Sequence, residues 1–104
     1  MIKLTDMTDV VRSKNAGPYE LTFDIMFKTT EWYEKVTQSG LLNQQLIADL
    51  YKIPVEDVLK LTHFKPANAI KVTIARPISS GALGETDVYG AQQHAPLLNL
   101  AFDL

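Results

Sequence analysis

Residues 19–27 carry the pattern that most restricts the fold of this chain. Large apolar side chains occupy every second position: Leu21, Phe23, Ile25 and Phe27. Polar or less apolar side chains alternate with them: Glu20, Thr22, Asp24 and Met26. Because successive side chains of a strand point to opposite faces of a sheet, this segment is predicted to be a strand buried on one face. The chain must therefore build a sheet with one covered face and one free face.

Two short helices are predicted to follow this strand. Thr29 or Thr30 is a suitable N-cap for the first helix, and Gly40 is a suitable residue to end it. Asn43 is a suitable N-cap for the second helix, which should end before Pro54. Its apolar residues follow helical spacing: Leu46, Ile47, Leu50 and Tyr51. Both helices are expected to pack on the strand.

The second half of the chain predicts three more strands. Residues 58–64 and 69–76 form a hairpin around the turn at 65–68, and the apolar residues of 98–102 alternate as a last strand. Residues 79–93 connect them as a long loop, and connections of that length in small domains are often functional.

This order of elements predicts an α+β fold in one domain spanning residues 1–104. We expect a ferredoxin-like sandwich with a mainly antiparallel four-stranded sheet, two short helices on one face and a long loop in place of the second crossover helix. The 46% hydrophobic content supports one modest core. The free face of the sheet should carry small or mildly polar side chains and is suited to another subunit: Thr22, Asp24, Met26, Thr73, Ala75 and Ala101.

Composition excludes several classes of function. The chain has no cysteine and therefore no disulfide framework or thiolate metal site. Its two histidines lie far apart without a carboxylate cluster, so we expect no metal and no cofactor. The net charge of −2 argues against a nucleic-acid partner, and no apolar run reaches the length of a membrane span. We expect a cytoplasmic protein without a membrane partner.

The segment 12–18 is the first candidate for a ligand-binding loop. Its proposed binding residues are Arg12, Ser13, Lys14, Asn15 and Gly17. Arginine offers a planar cationic fork, lysine a mobile charge and glycine a close backbone approach, so a carboxylate or phosphate can be held there. The alternative is structural: the cations pair with Asp6, Asp9 or Asp87 while the loop turns the chain into its first strand.

The segment 84–96 is the second candidate, because it is crowded with groups that can transfer protons or form hydrogen bonds. His94 is the natural acid or base, Asp87 can orient it, and Tyr89 can donate a hydrogen bond. Gln92 and Gln93 are candidate ligand contacts, or they satisfy backbone groups in a purely structural loop. We expect the two segments to meet at one edge of the sheet and form a shared site.

Both segments also carry a family resemblance. Residues 12–25, and residues 86–98 with their Gly90 and His94, are similar to domain-of-unknown-function family 4387. Members resemble companions of the acyclic terpene utilisation A-like proteins, whose C-terminal region has an Arg-Ser-Gly-Asp-Lys-Gly loop before a strand. Arg12, Ser13, Lys14 and Gly17 echo that loop, whereas Asn15 and Ala16 depart from it.

The resemblance implies an accessory subunit or detached domain. Its partner would be a larger acyclic terpene utilisation A-like protein acting on acyl-CoA or organic acids, with a carboxylate or acyl-CoA as ligand. One alternative is a small stand-alone hydratase, isomerase or lyase that uses His94 and Asp87 for proton transfer. Another is a ligand-binding homodimer.

Overall fold

The computed structural model describes residues 1–16, 19–75 and 95–104. Its strands are β1 (Ile2–Lys3), β2 (Thr8–Asn15), β3 (Glu20–Phe27), β4 (Val58–Phe64), β5 (Ala69–Ala75) and β6 (Ala101–Phe102). Its α-helices are α1 (Leu4–Met7), α2 (Thr30–Ser39) and α3 (Gln44–Tyr51). Single 3₁₀ turns cover Val55–Asp57, Lys65–Ala67 and Ala95–Asn99. The predicted α+β class is confirmed.

Within the described residues, the main sheet has four strands in the order β2-β3-β5-β4, and all neighbours are antiparallel. The central strands β3 and β5 lie between the edge strands β2 and β4. The predicted hairpin is confirmed, since β4 and β5 pair from Phe64 and Ala69 at the turn to Val58 and Ile74.

The alternation in residues 20–27 is confirmed by burial. Leu21, Phe23, Ile25 and Phe27 are all buried, and they face the same side as the buried apolar residues of β5. Phe23 stacks on Tyr51 of α3 with ring centroids 4.9 Å apart. Phe27 meets Tyr33 of α2 edge to face at 6.2 Å. Both helices therefore cover this face and leave the other face of the sheet without them.

The helix ends follow the predicted capping residues. The Thr29 side chain accepts a hydrogen bond from the Trp32 amide, and Gly40 ends α2 in the left-handed conformation with φ 68°. The Asn43 side chain accepts from the Leu46 amide at 2.9 Å and starts α3. Local signals of this kind need no knowledge of the tertiary fold.

The fourth strand of the main sheet lies near the N-terminus, whereas the sequence predicts it near the C-terminus. The sequence places residues 98–102 there, but Ala95–Asn99 form a 3₁₀ turn closed by a hydrogen bond from the Leu100 amide to the Leu97 carbonyl. Only Ala101–Phe102 are extended, and they pair with β1 in a separate two-stranded sheet. The main sheet is completed by β2, which covers most of the segment predicted as a loop.

The free face also differs from its prediction at two positions. Ala101 lies in the small sheet, away from the main one. Asp24 is on the free face by register, but its side chain is only 2% exposed. Residues 79–93, which were predicted to replace a crossover helix, lie outside the described residues.

Candidate functional site

The first predicted ligand segment is largely an edge strand. Arg12, Ser13, Lys14 and Asn15 all belong to β2 and pair with β3 from Asp24 to Leu21. Because strand side chains alternate, Arg12 and Lys14 share the face opposite the helices, whereas Ser13 and Asn15 share the helix-covered face. Burial agrees, since Ser13 is buried and Arg12 and Lys14 are exposed. The strand thus brings the two cations together and separates them from Ser13 and Asn15.

The remaining predicted site residues lie outside the described part of the chain. They are Gly17, Asp87, Tyr89, Gln92, Gln93 and His94. Their roles, and the meeting of the two loops, stay predictions.

We define the open face as the face of the main sheet opposite α2 and α3. Register places Arg12 beside Asp24, Asp24 beside Lys71, and Lys71 beside Thr62. These four residues form one row across all four strands, which we call the charged row. Directly opposed side chains on one face of antiparallel strands are close enough to interact.

Asp24 is the centre of the charged row. Arg12 Nε donates to Asp24 Oδ2 at 3.0 Å, and Lys71 Nζ lies 3.9 Å from Asp24 Oδ1. The Asp24 side chain is 2% exposed, whereas those of Arg12 and Lys71 are 57% and 51% exposed. No group of the described residues donates a hydrogen bond to Asp24 Oδ1. A buried carboxylate therefore pairs with the guanidinium Nε of Arg12 and with the ammonium group of Lys71, while both cationic side chains remain about half exposed.

This pairing differs from the structural alternative drawn from the sequence. That alternative pairs Arg12 with a nearby acid such as Asp6 or Asp9, but the carboxylate bonded to Arg12 Nε is Asp24 on the neighbouring strand. Arg12 and Asp24 are twelve positions apart in the sequence and become neighbours through the β2-β3 register.

A second row lies beside the charged row on the open face. Lys14 is paired with Thr22, Thr22 with Thr73, and Thr73 with Lys60. The hydroxyls of Thr22 and Thr73 are 3.4 Å apart. We call this the threonine row. It places two hydroxyls between lysines on the outer strands, and both lysines are exposed.

The open face is cationic although the chain is acidic. Its cations are Arg12, Lys14, Lys60 and Lys71. Its carboxylates in the described strands are Asp24 and Glu20, and Asp24 is already paired with two of those cations. The four cations outnumber the two carboxylates on the described part of this face, whereas the whole chain has a net charge of −2. Such a surface attracts anionic groups.

Sequence reasoning identified Arg12 and Lys14 but missed Lys60 and Lys71. The alternation of β5 does put Lys71 on the polar side of its strand. The lysines join the site only through strand order, because β4 and β5 follow β3 on the side away from β2.

The second histidine of the chain lies elsewhere. His63 is in β4 on the helix-covered side, since it pairs with the buried Ile70. It lines a cleft of about 360 Å³ together with Thr37, Gln44 and Leu61. Thr37 Oγ1 has no hydrogen-bond partner in the part of the chain that the structure describes, but the atom is buried and therefore closed to a ligand in the cleft. The sequence predicts a structural role for His63.

Two other kinds of site are absent from the described residues. No group of three or more acidic, histidine or cysteine side chains there is arranged to hold a metal ion. None of the helices within 1–16, 19–75 and 95–104 combines the length and apolarity needed to cross a membrane.

Burial perturbs one titratable group among the described residues clearly. Tyr51, the last residue of α3, stacks on Phe23, and desolvation there raises the pKa of its phenol above the ordinary value. This tyrosine belongs to the core side of the sheet, so its altered pKa marks packing and not the open face.

Comparison with known proteins identifies a family but no characterised relative. The model of the family described as "Domain of unknown function (DUF4387)" matches residues 4–101, which include β2 and the whole main sheet. No curated protein and no solved structure matches the chain. The match spans nearly the full sequence, and the chain therefore belongs to the DUF4387 family.

Proposed function

We propose that this protein is an accessory subunit of a larger enzyme that metabolises acyl-CoA or organic acids. In this proposal the subunit docks the enzyme and adds anion-binding groups, with Arg12 and Lys14 foremost, to a shared pocket. The predicted loop with His94 would complete the same pocket. The observation that supports the proposal is the cationic open face on an otherwise acidic chain.

The charged row supports an anion-binding role because Asp24 holds the guanidinium of Arg12 through its Nε. Its Nε is held by buried Asp24 at 3.0 Å, while the side chain remains 57% exposed. A guanidinium oriented in this way can present its terminal amino groups to a carboxylate or phosphate without first losing its side-chain freedom. Lys14 lies two positions further along the same strand face.

An accessory role fits the shape of this surface better than independent catalysis. The open face is one side of a sheet, and catalysis usually needs a deeper and drier cleft. A larger protein docked against the face would supply the missing walls. For the partner we propose an acyclic terpene utilisation A-like protein, with both proteins in the cytoplasm. We also propose that the main sheet and the two helices packed on it form a ferredoxin-like sandwich.

Coexpression tests this proposal directly. The tagged chain would be produced together with the acyclic terpene utilisation A-like protein of the same genome, and the complex measured by affinity purification and light scattering. We expect a stable complex that is lost in an Arg12→Glu, Lys14→Glu double variant. Lys35→Glu, on α2 and away from the open face, is the matched control and should keep the complex.

Three results would contradict the proposal. Equal complex formation by the double variant would show that the enzyme does not dock on the open face. Turnover of a carboxylic acid or acyl-CoA by the isolated chain, abolished by a folded His94→Ala variant, would favour the stand-alone enzyme instead. A homodimer that binds ligand without any larger protein would appear in light scattering of the isolated chain.

A further inference from the structure

A third row on the open face is apolar. Register pairs Val10 with Met26, Met26 with Ala69, and Ala69 with Phe64. We call these four residues the apolar row. Phe64 ends it on the edge strand β4 with 49% of its surface exposed. Phe64 thus places a half-exposed aromatic ring beside the cationic part of the open face.

The three rows follow one another in a defined order. Along β4 the open face carries Lys60, Thr62 and Phe64 at alternate positions, so the threonine, charged and apolar rows are neighbours. Alternate strand residues are separated by about 7 Å, and adjacent strands by about 4.8 Å. Lys71 on β5 is therefore one row and one strand away from Phe64. Cationic groups and a ring surface lie within the reach of one small molecule.

This arrangement restricts the chemistry of a ligand. A simple carboxylate or inorganic phosphate would use the cations and leave Phe64 unused. A purely apolar ligand would use the ring and make no use of the four cations. A molecule that joins a planar ring to phosphate groups uses both surfaces, because aromatic side chains stack on bases and lysine or arginine binds phosphate.

The charge of the chain favours a small ligand over a nucleic acid. A nucleic acid needs cations along an extended track, and its affinity depends on the number of phosphates neutralised. Here the cations of the described sheet are confined to two adjacent rows, and the whole chain carries a net charge of −2. One nucleotide with its phosphates matches the size of this surface.

We propose that the open face binds a nucleotide-type ligand, with its ring stacked on Phe64 and its phosphates beside Lys60 and Lys71. The hydroxyls of the threonine row lie between the lysines and can donate hydrogen bonds to phosphate oxygens. This inference deepens the anion-binding part of the proposed function and names the ligand class that the shared pocket would hold.

Titration of the isolated full chain with ADP tests the inference, with calorimetry as the readout. Inorganic pyrophosphate and adenosine are tested separately as the two halves of the ligand. We expect ADP to bind more tightly than either half. Phe64→Ala should weaken ADP binding by about tenfold and leave pyrophosphate binding unchanged. Lys60→Met should weaken both ADP and pyrophosphate severalfold, and it leaves the two ion pairs of Asp24 intact.

Two variants at exposed positions outside the proposed site serve as matched controls. Leu59→Ala removes a side chain that is also 49% exposed on β4 but belongs to none of the three rows, so it should leave ADP binding unchanged. Lys35→Met removes a cation from α2 and should also have no effect. Circular dichroism of each variant confirms that it is folded before its affinity is compared.

Three outcomes would overturn the inference. They are the absence of ADP binding by the folded chain, equal affinity for ADP and pyrophosphate with no effect of Phe64→Ala, and far tighter binding of a single-stranded oligoribonucleotide than of ADP. The test is independent of partner docking. Failure of ADP binding together with a stable coexpressed complex would refute the ligand class alone, whereas ADP binding without a complex would refute the accessory role alone.

Discussion

Arg12 and Asp24 lie directly opposite each other on β2 and β3 and share a 3.0 Å hydrogen bond, but only the carboxylate is buried. The Arg12 side chain is 57% exposed and Asp24 is 2% exposed. Their contributions to stability should therefore differ. A buried charge that loses its partner is costly, whereas an exposed cation that loses its partner returns to water.

We predict that Arg12→Met destabilises the fold more than Asp24→Asn. The first change leaves a buried carboxylate with Lys71 alone, at 3.9 Å, and should lower the free energy of unfolding by about 2 kcal/mol. The second removes the buried charge and should cost about 1 kcal/mol or less. Urea denaturation measures both values. The double variant should be close to Asp24→Asn, and the opposite order of the single variants would show that the buried carboxylate is not the costly partner.

Phe23 should be among the most sensitive core positions. It is fully buried on β3 and stacks on Tyr51 at 4.9 Å, so Phe23→Ala should lower the free energy of unfolding by about 3 to 5 kcal/mol. Phe64→Ala is the matched control, because Phe64 is half exposed and should cost below about 1 kcal/mol. If Phe23→Ala does not fold, Phe23→Leu provides the comparison. Equal effects of the Phe23 and Phe64 variants would contradict the assigned core.

The parts of the fold that the sequence predicts correctly depend on local signals. Strand β3 alternates between large apolar and polar residues, and the caps Thr29 and Asn43 act on amides only three residues away. Strand β2 is missed because its positions on the helix-covered face include the polar residues Ser13 and Asn15, which break the alternation of apolar and polar residues. Residues 98–102 show the alternation of a strand, but a hydrogen bond from the Leu100 amide to the Leu97 carbonyl folds the start of this segment into a turn.

The residues of the candidate site also divide into those that the local sequence reveals and those that only the assembled sheet brings together. Arg12 and Lys14 stand out in the sequence because they are close together and near a glycine. Lys71 and Phe64 join them only through the order and register of β3, β5 and β4, which are non-local. Asp24 occupies a polar position of its strand, and only the cross-strand partners reveal that it is buried.

Asn43 should contribute more than an ordinary helix cap. Its Oδ1 accepts from the Leu46 amide at 2.9 Å, and its Nδ2 donates to the Gly40 carbonyl at 2.8 Å, so one side chain joins the end of α2 to the start of α3. Asn43→Ala should lower the free energy of unfolding by about 1 to 2 kcal/mol. Asn43→Asp keeps the acceptor and loses the donor, so its cost should be smaller. Thermal denaturation measures both, and equal losses would assign no role to the cap acceptor.

Tyr51 should make stability depend on alkaline pH. Burial raises the pKa of its phenol in the folded protein, whereas the unfolded chain ionises it near pH 10. The stabilisation is therefore complete below pH 10 and declines as the pH rises above it, because the unfolded state releases the proton first. Between pH 8 and pH 11 the decline attributable to Tyr51 should be about 1 kcal/mol. Tyr51→Phe should show a shallower decline over this range, and an unchanged decline would mean that other groups cause it.

Chemical cross-linking can test whether the predicted loop that carries His94 lies close to the cations of the open face. The chain has no cysteine, so Lys14→Cys with His94→Cys introduces one defined pair of thiols. If the histidine-bearing segment meets the open face, a short bismaleimide should join this pair within one molecule at low protein concentration. Lys35→Cys with His94→Cys is the control, because Lys35 lies on α2 at the other face of the sheet. Mass spectrometry of the digested product identifies the link. Cross-linking of the control pair in preference to the Lys14 pair would place His94 away from the cations and remove it from the proposed pocket.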